Sequence, residues 1–312
     1  MGLIKKPSEL EIKSNLTALI YGQPGIGKTT LGCSAPNAVL FDYDGGVQRI
    51  NGAHQVPTVQ IRSWEDTGEA LKELEQMPEI ETILIDTVGK MLDFMSKHII
   101  DNDSKQAKRD GSLSLQGYGA RKMMFISFIK QVSMMGKNII FIAHEREEKR
   151  KEEIVKRPEI GGSSANDLIK ELDLVGYMQA IGKERTLTFD PTEEYYAKNT
   201  CNLPTVIKLP TVVDNTGIAT GENNFFNSIF DAYKKQQKNN IERTSEFEDL
   251  IYMIKEDIND VSRLEEINEL TKKFYGFQHI YNSKIIAAKL LNEKAKSLGF
   301  VLNKATKQYE AA

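Results

Sequence analysis

Between Tyr21 and Thr30 the chain reads YGQPGIGKTT, three glycines and a proline followed by a lysine and two threonines. Gly22, Gly25, Gly27, Lys28 and Thr29 fit the pattern G-x-x-x-x-G-K-[ST], with Gln23, Pro24 and Ile26 filling the loop and Thr30 following it. Glycines at these places let successive backbone N–H groups turn towards one anion. Lys28 then reaches the β- and γ-phosphates, the Thr29 hydroxyl binds Mg²⁺, and the start of a following helix adds its partial positive charge. The pattern is therefore a phosphate cradle for a nucleoside triphosphate.

A Mg²⁺ ion needs a carboxylate beside the cradle. Asp86 closes the apolar run TILID, where a buried strand would carry it to the same edge as the loop, and it is the expected metal ligand together with Thr29. The next residue is Thr87, not a carboxylate, so activation of a water must come from elsewhere. LFDYDGG offers Asp42 and Asp44, two apart on an extended segment and hence on one side.

Positioning these groups requires a sheet. Apolar runs predict strands over 16–21, 38–42, 82–86, 138–143, 173–181, 186–190 and 194–198, and helices over 28–33, 64–76, 90–101 and 117–135. Such alternation predicts an α/β fold with a mostly parallel sheet and helices on both faces. Beyond about residue 235 the chain changes character: KKQQKNN reads as a polar bridge, and apolar residues from Phe247 to Ile258 share a helical face. Ser262 and Glu265 suggest a capping box, a helix spans 283–298 to Gly299, and the last residues suit a short hairpin. The expected organisation is a core over 1–235 and a small C-terminal helical domain over 236–312.

With 312 residues, 40% hydrophobic and 27% charged, the chain can bury a large core. A net charge of −3 means that any nucleic-acid contact is local. Only Cys33 and Cys201 are present, far apart and without metal-type spacing, which predicts reduced thiols and a cytoplasmic protein. The N-terminus has no apolar signal core, and IIFIA, the longest apolar run, is too short for a membrane span, so no membrane partner is expected.

ILIDT, then GARKMM, IIFIAHE, EIGGSSANDLIKELDLVGYM and YYAKNTCNLP follow an order that resembles the RecA family over about residues 10–235. The most similar members are the small RecA-like ATPases of bacteriophages, phage nucleotide-binding proteins regarded as single-strand annealing recombinases. The resemblance implies a RecA-like P-loop NTPase core that uses ATP and Mg²⁺, in the cytoplasm of a bacterial host. It implies that Asp44 activates the attacking water, that His144 senses the γ-phosphate, and that Lys198 reaches a neighbouring subunit's γ-phosphate in a ring or filament. The chain departs from the bacterial pattern at Thr200, where a second lysine would stand, and Asp44 is shorter than the family's Glu.

The resemblance also assigns two loops to single-stranded DNA. Residues 102–122 bring Lys105, Lys108, Arg109 and Arg121 among small polar residues, a composition that stays mobile until phosphate orders it. Residues 145–157, EREEKRKEEIVKR, include Lys149 and Arg150 and suit either a DNA-binding loop, hinged at Gly161 and Gly162, or a solvated charged helix. In the tail, ten acids and three bases from Glu242 to Glu269 precede eight bases and two acids up to Glu310. That layout suits a helical hairpin pairing opposite charges. Alternatively Phe274, Tyr275, Phe277 and Tyr281 offer stacking faces for single-stranded DNA or dock a single-strand-binding protein. The expected function is a Mg²⁺-dependent ATPase in phage DNA recombination or replication that promotes annealing or strand pairing. A hexameric helicase or helicase loader, and a non-enzymatic ATP-dependent switch, are the alternatives.

Overall fold

The computed structural model describes residues 3–11, 15–150, 153–161, 169–182 and 184–311, the Arg150 side chain excepted. The chain divides into two units, residues 13–234 and residues 1–12 with 235–312.

In the first unit the strands are β1 (Thr17–Gly22), β2 (Ala38–Asp42), β3 (Thr58–Gln60), β4 (Thr82–Asp86), β5 (Asn138–Arg150), β6 (Glu153–Pro158), β7 (Leu174–Ile181), β8 (Glu184–Thr188), β9 (Lys198–Asn199) and β10 (Val206–Lys208). Across the sheet they run β10-β8-β7-β1-β5-β4-β2-β3, with β6 paired to β5 and β9 to β7. The inner pairs β7–β1, β1–β5, β5–β4, β4–β2 and β2–β3 are parallel, while β8, β9 and β10 pair antiparallel.

Every residue of β1, β2 and β4 is buried, as continuous apolar strands covered on both faces must be. Alternate side chains feed two cores. Leu19, Phe41, Ile83, Ile85 and Phe141 meet helices α2 (Trp64–Leu74), α3 (Val88–Asn102) and α4 (Leu115–Met134). On the other face Ile20, Leu40, Leu84 and Ile142 share a cluster with Leu31 of α1 (Lys28–Gly32) and with Phe226 and Phe230 from the first turns of α5 (Phe225–Asn259). Ser63, Thr87 and Ser114 cap α2, α3 and α4 with their side chains, which fixes where each helix departs from its strand. Thr87 thus follows Asp86 for a structural reason: it starts α3.

Several expectations are corrected here. Residues 145–150 and 153–157 form neither a helix nor a loop: β5 runs on to Arg150 and pairs with β6 as an antiparallel ladder from Glu145↔Pro158 to Arg150↔Glu153. Residues 103–113 fold into a 3₁₀ turn at Ser104–Gln106 and a tight turn closed by Lys108 N–H donating to Ser112 O at 2.7 Å. Their own hydrogen bonds close these turns. The expected strand over 194–198 is reduced to a bridge at Tyr195 and the short β9.

KKQQKNN is helical, because α5 continues unbroken to Asn259. It is followed by α6 (Leu264–Tyr275), α7 (Ser283–Ser297) and a hairpin of β11 (Phe300–Asn303) and β12 (Gln308–Ala311). Ile254, Ile258, Ile267, Phe274, Leu291 and Tyr309 form the core of the second unit. The capping carboxylate is Glu266, not Glu265: it accepts from the Ser262 and Arg263 N–H groups at 2.9 and 3.0 Å. Opposite charges do meet, Lys273 Nζ lying 2.7 Å from Asp257.

Candidate active site

Parallel strands deliver their C-terminal ends to one rim, the usual place for a ligand in an open α/β sheet. Gly22 of β1 stands opposite His144 of β5, and Asp42 of β2 opposite Asp86 of β4. Since β5 lies between β1 and β4, His144 emerges between the glycine loop and Asp86. The strand does not end there, as the sequence suggested, but continues into the β5–β6 hairpin.

A cavity of about 280 Å³ opens at this rim, and Gly25, Lys28, Thr29, Asp44, Asp86 and His144 are among the residues that line it. Gly25 (φ 78°) and Gly27 (φ 97°) occupy the left-handed region, so these loop positions need glycine for their backbone. Gly22 needs it for space: a Cβ there would stand 2.3 Å from the Met178 carbonyl oxygen. With only five residues in α1, the orientation of the loop's N–H groups carries more of the anion affinity than a helix dipole does.

Thr29 Oγ1 donates to Asp86 Oδ2 at 2.6 Å. Burial raises the Asp86 pKa above the ordinary carboxylate range, the Thr29 hydrogen bond opposes that, and the nearby Asp44 and Asp42 raise it further. A hydroxyl and a carboxylate oxygen, set among further negative charge, are the hard donors that Mg²⁺ takes alongside phosphate oxygens. The pair fits the metal. Lys28 Nζ donates to the Gly22 and Gln23 carbonyls at 3.0 and 2.7 Å, and burial pulls its pKa down to about 8.

The two aspartates after β2 have separate duties. Asp42 is buried and accepts from the Gly46 and Val47 N–H groups at 3.0 and 3.2 Å, turning the chain. Asp44, half-buried, faces the cavity with Arg49 4.0 Å away. His144 keeps a buried Nδ1 with no hydrogen-bond partner among the described residues.

Other candidates fall elsewhere. Lys198 is not among the residues lining the cavity; its ammonium donates to the backbone carbonyls of Lys170 and Leu172 of its own chain. Arg121 is buried, donating to Ser96 Oγ at 3.1 Å and Gly161 O at 2.6 Å, with its guanidinium 4.9 Å from the Tyr118 ring centre; it is held in packing rather than exposed as the sequence suggested. Lys105, Lys108, Arg109 and Lys149 are exposed, the last on the hairpin. The Arg150 side chain and Gly162 lie outside the described residues.

The sequence reading missed Arg49, which a 3₁₀ turn at Val47–Arg49 brings back to the cavity. It also missed a second cavity, of about 160 Å³, that shares Gly27 and Thr30 with the first and is walled by Ile26, Met178, Arg185 and Leu209. Arg185 Nε donates to Ile26 O at 2.8 Å, and Asn223 Nδ2 to Thr30 O at 2.7 Å, bracing the loop from behind. These residues come from segments far apart in sequence, so no local spacing announces them.

Comparison with known proteins agrees with this geometry. The model of the family described as "AAA domain" matches residues 14–201. The chain is similar to the SPbeta prophage-derived uncharacterized protein YorG of Bacillus subtilis (strain 168), 24% identical over 280 residues that span 82% of this chain and 84% of that protein. Among the described residues no helix is long and apolar enough to cross a membrane. The matched region covers more than half of the chain and contains the glycine loop, Asp44, Asp86 and His144, and the chain therefore belongs to the AAA domain family of P-loop ATPases.

Proposed function

We propose that the protein binds ATP with Mg²⁺ and hydrolyses it as a RecA-like ATPase of phage DNA recombination or replication, assembling as a ring or filament on single-stranded DNA and promoting annealing or strand pairing. The observation that carries the catalytic part is the gathering of Lys28, the Thr29–Asp86 pair, Asp44 and His144 around one cavity. The phage setting is supported by the likeness to a prophage protein. The DNA part is supported by the resemblance to RecA-like phage ATPases.

In this reading the loop N–H groups and Lys28 hold the β- and γ-phosphates, and Thr29 and Asp86 hold Mg²⁺, which when bound neutralises charge on the phosphate oxygens. Asp44 accepts a proton from the water whose oxygen bonds to the γ-phosphorus as the bond to the ADP oxygen breaks. His144, whose buried Nδ1 has no partner among the described residues, registers the γ-phosphate and passes its presence to the β5–β6 hairpin. The second cavity takes the base, since it adjoins the same loop residues from the other side. Loss of the γ-phosphate then releases the Lys28 and His144 contacts and resets the hairpin.

ATP turnover with and without an oligothymidylate tests this in the wild type, Lys28→Ala and Asp44→Asn. The reading predicts turnover that rises with the oligonucleotide, loss of ATP binding in the first variant, and binding without turnover in the second. Normal hydrolysis by Asp44→Asn removes it as the base, and steady ATP binding that the oligonucleotide never converts to turnover favours a non-enzymatic switch.

A further inference from the structure

The C-terminal unit contains a cleft that no part of the nucleotide site uses. Its cavity volume is about 630 Å³, and it lies between α6, α7 and the β11–β12 hairpin. Its floor is the unit's own core, with Phe274, Ala287, Leu291 and Tyr309 each nearly buried. Its mouth carries apolar surface left in water: Tyr275 is 63% exposed and Leu302 44%.

The charges around this mouth have one sign. Lys284 and Lys289 reach it from α7, and Lys304 and Lys307 from the hairpin turn, while no Asp or Glu is among its lining residues. Lys284 Nζ already lies 5.7 Å from the Tyr275 ring centre, and Lys289 pairs loosely with Glu293 at 4.0 Å, outside the lining. In a chain of net charge −3 that is a local excess of positive charge beside an exposed aromatic face.

Anionic partners that carry apolar groups include an acidic peptide and a single nucleic-acid strand. An extended peptide that binds by adding a strand needs a free strand edge for its main chain. That edge is taken on β12, where the Asn268 side chain donates to Tyr309 O at 3.0 Å and accepts from Tyr309 N–H at 2.8 Å. His279 is likewise occupied, by Ser283 Oγ at 2.9 Å and Phe274 O at 2.8 Å. What the cleft offers is the exposed Tyr275 ring, approached by Lys284, and four ammonium groups, of which Lys289 is loosely shared with Glu293; a ring and cations together are the pair of features that holds unpaired bases and their phosphates without reading sequence.

We infer that this cleft is a single-stranded DNA site, in which a base stacks on Tyr275 and the phosphates on either side meet Lys284, Lys289, Lys304 and Lys307. The assignment rests on the reading of the protein as acting on single-stranded DNA, and is independent of the ATP cavity. It moves the proposed DNA contact away from residues 102–122, where Arg121 is consumed by packing, to a part of the chain outside the matched AAA region. Of the four aromatics noted in the sequence, Tyr275 alone is both exposed and on the cleft; Phe274 is core, Phe277 packs on Phe274 at 5.4 Å, and Tyr281 packs on Phe247 at 5.6 Å.

The test is fluorescence anisotropy of a labelled oligothymidylate with the full-length protein, without nucleotide, at several salt concentrations. Tyr275→Ala is expected to weaken binding roughly 5- to 150-fold, the span of one base stack. Lys304→Gln with Lys307→Gln is expected to reduce the slope of log K against log salt by about 1.4, from two lost phosphate contacts on a single strand. All three side chains are exposed, so the variants keep the wild-type melting temperature, and ATP binding at Lys28 is unchanged in them. Wild-type binding that neither change affects overturns the cleft assignment while leaving DNA binding elsewhere in place. No binding by the wild type overturns both the cleft and the DNA part of the proposed function. An acidic aromatic peptide that binds through Tyr275, with no oligonucleotide binding, also overturns the assignment.

Discussion

The main-chain N–H of Asp44 donates to the carbonyl oxygen of Asp86 at 3.2 Å, and the Tyr43 N–H reaches the same oxygen at 2.8 Å. The proposed water-activating residue is therefore fixed to the proposed metal-binding residue through backbone, not through flexible side chains. Positions set this way do not depend on the ligand to assemble them.

Asp86→Asn is expected to remove the dependence of nucleotide affinity on Mg²⁺ without unfolding the protein. The amide can still accept from Thr29, and it relieves a buried charge that burial, Asp44 and Asp42 all disfavour. Titration of a fluorescent ATP analogue with Mg²⁺ or EDTA should give equal affinities in the variant, and its melting temperature should equal or exceed that of the wild type.

Gly22→Ala and Gly32→Ala should differ in cost although both lie by the loop. At Gly22 the added Cβ meets a backbone carbonyl oxygen, 2.3 Å away, which cannot yield; at Gly32 it meets Leu84 Cδ1 at 2.5 Å, the end of a side chain that can turn. Overpacking costs about 1–3 kcal/mol, and Gly22→Ala belongs at or above the upper end. Urea midpoints measure the order, and a milder Gly22→Ala would contradict it.

Much of the first unit is legible in the sequence because doubly covered parallel strands must be continuous apolar runs, and β1, β2 and β4 are that. The glycine loop is legible because residues other than glycine rarely adopt the left-handed backbone found at Gly25 and Gly27. The hairpin of β5 and β6 is hidden for the opposite reason. Standing in solvent, it is written in Glu, Arg and Lys, which carry no strand signal, and is held by its ladder and by pairs such as Arg157 Nε to Glu148 at 3.2 Å. Arg121 misleads because a basic residue in a polar stretch reads as surface, whereas the carbonyl of Gly161, distant in sequence, draws it inside.

Arg121→Ala should destabilise the protein by on the order of 2 kcal/mol, since it removes the hydrogen bonds to Ser96 and to the Gly161 carbonyl and opens a gap where the buried side chain stood. Oligonucleotide affinity should be unchanged in the folded variant. Thermal melts and anisotropy together separate the two roles, and a stable variant that binds DNA poorly would restore Arg121 as a contact.

Acid should weaken the C-terminal unit through Glu266. The Ser262 and Arg263 N–H groups and the Arg263 side chain hold its pKa down at about 2, against an ordinary 4.5. A depressed carboxylate stabilises fully above its unfolded pKa and loses that contribution as pH falls through the folded one, so the loss runs from about pH 4.5 to about 2. Helix content followed by circular dichroism should fall in that window, and Glu266→Gln should flatten the part of the slope that this residue supplies.

Calorimetric titration of the full-length protein with ATP, in Mg²⁺ and in EDTA, bears most directly on the central claim that the glycine loop and the Thr29–Asp86 pair hold a magnesium nucleotide. The account predicts one ATP per chain in Mg²⁺, affinity at least about tenfold lower in EDTA, about 1.4 kcal/mol, and no uptake by Lys28→Ala. Absence of binding by the wild type, or equal affinity with and without Mg²⁺, would contradict it.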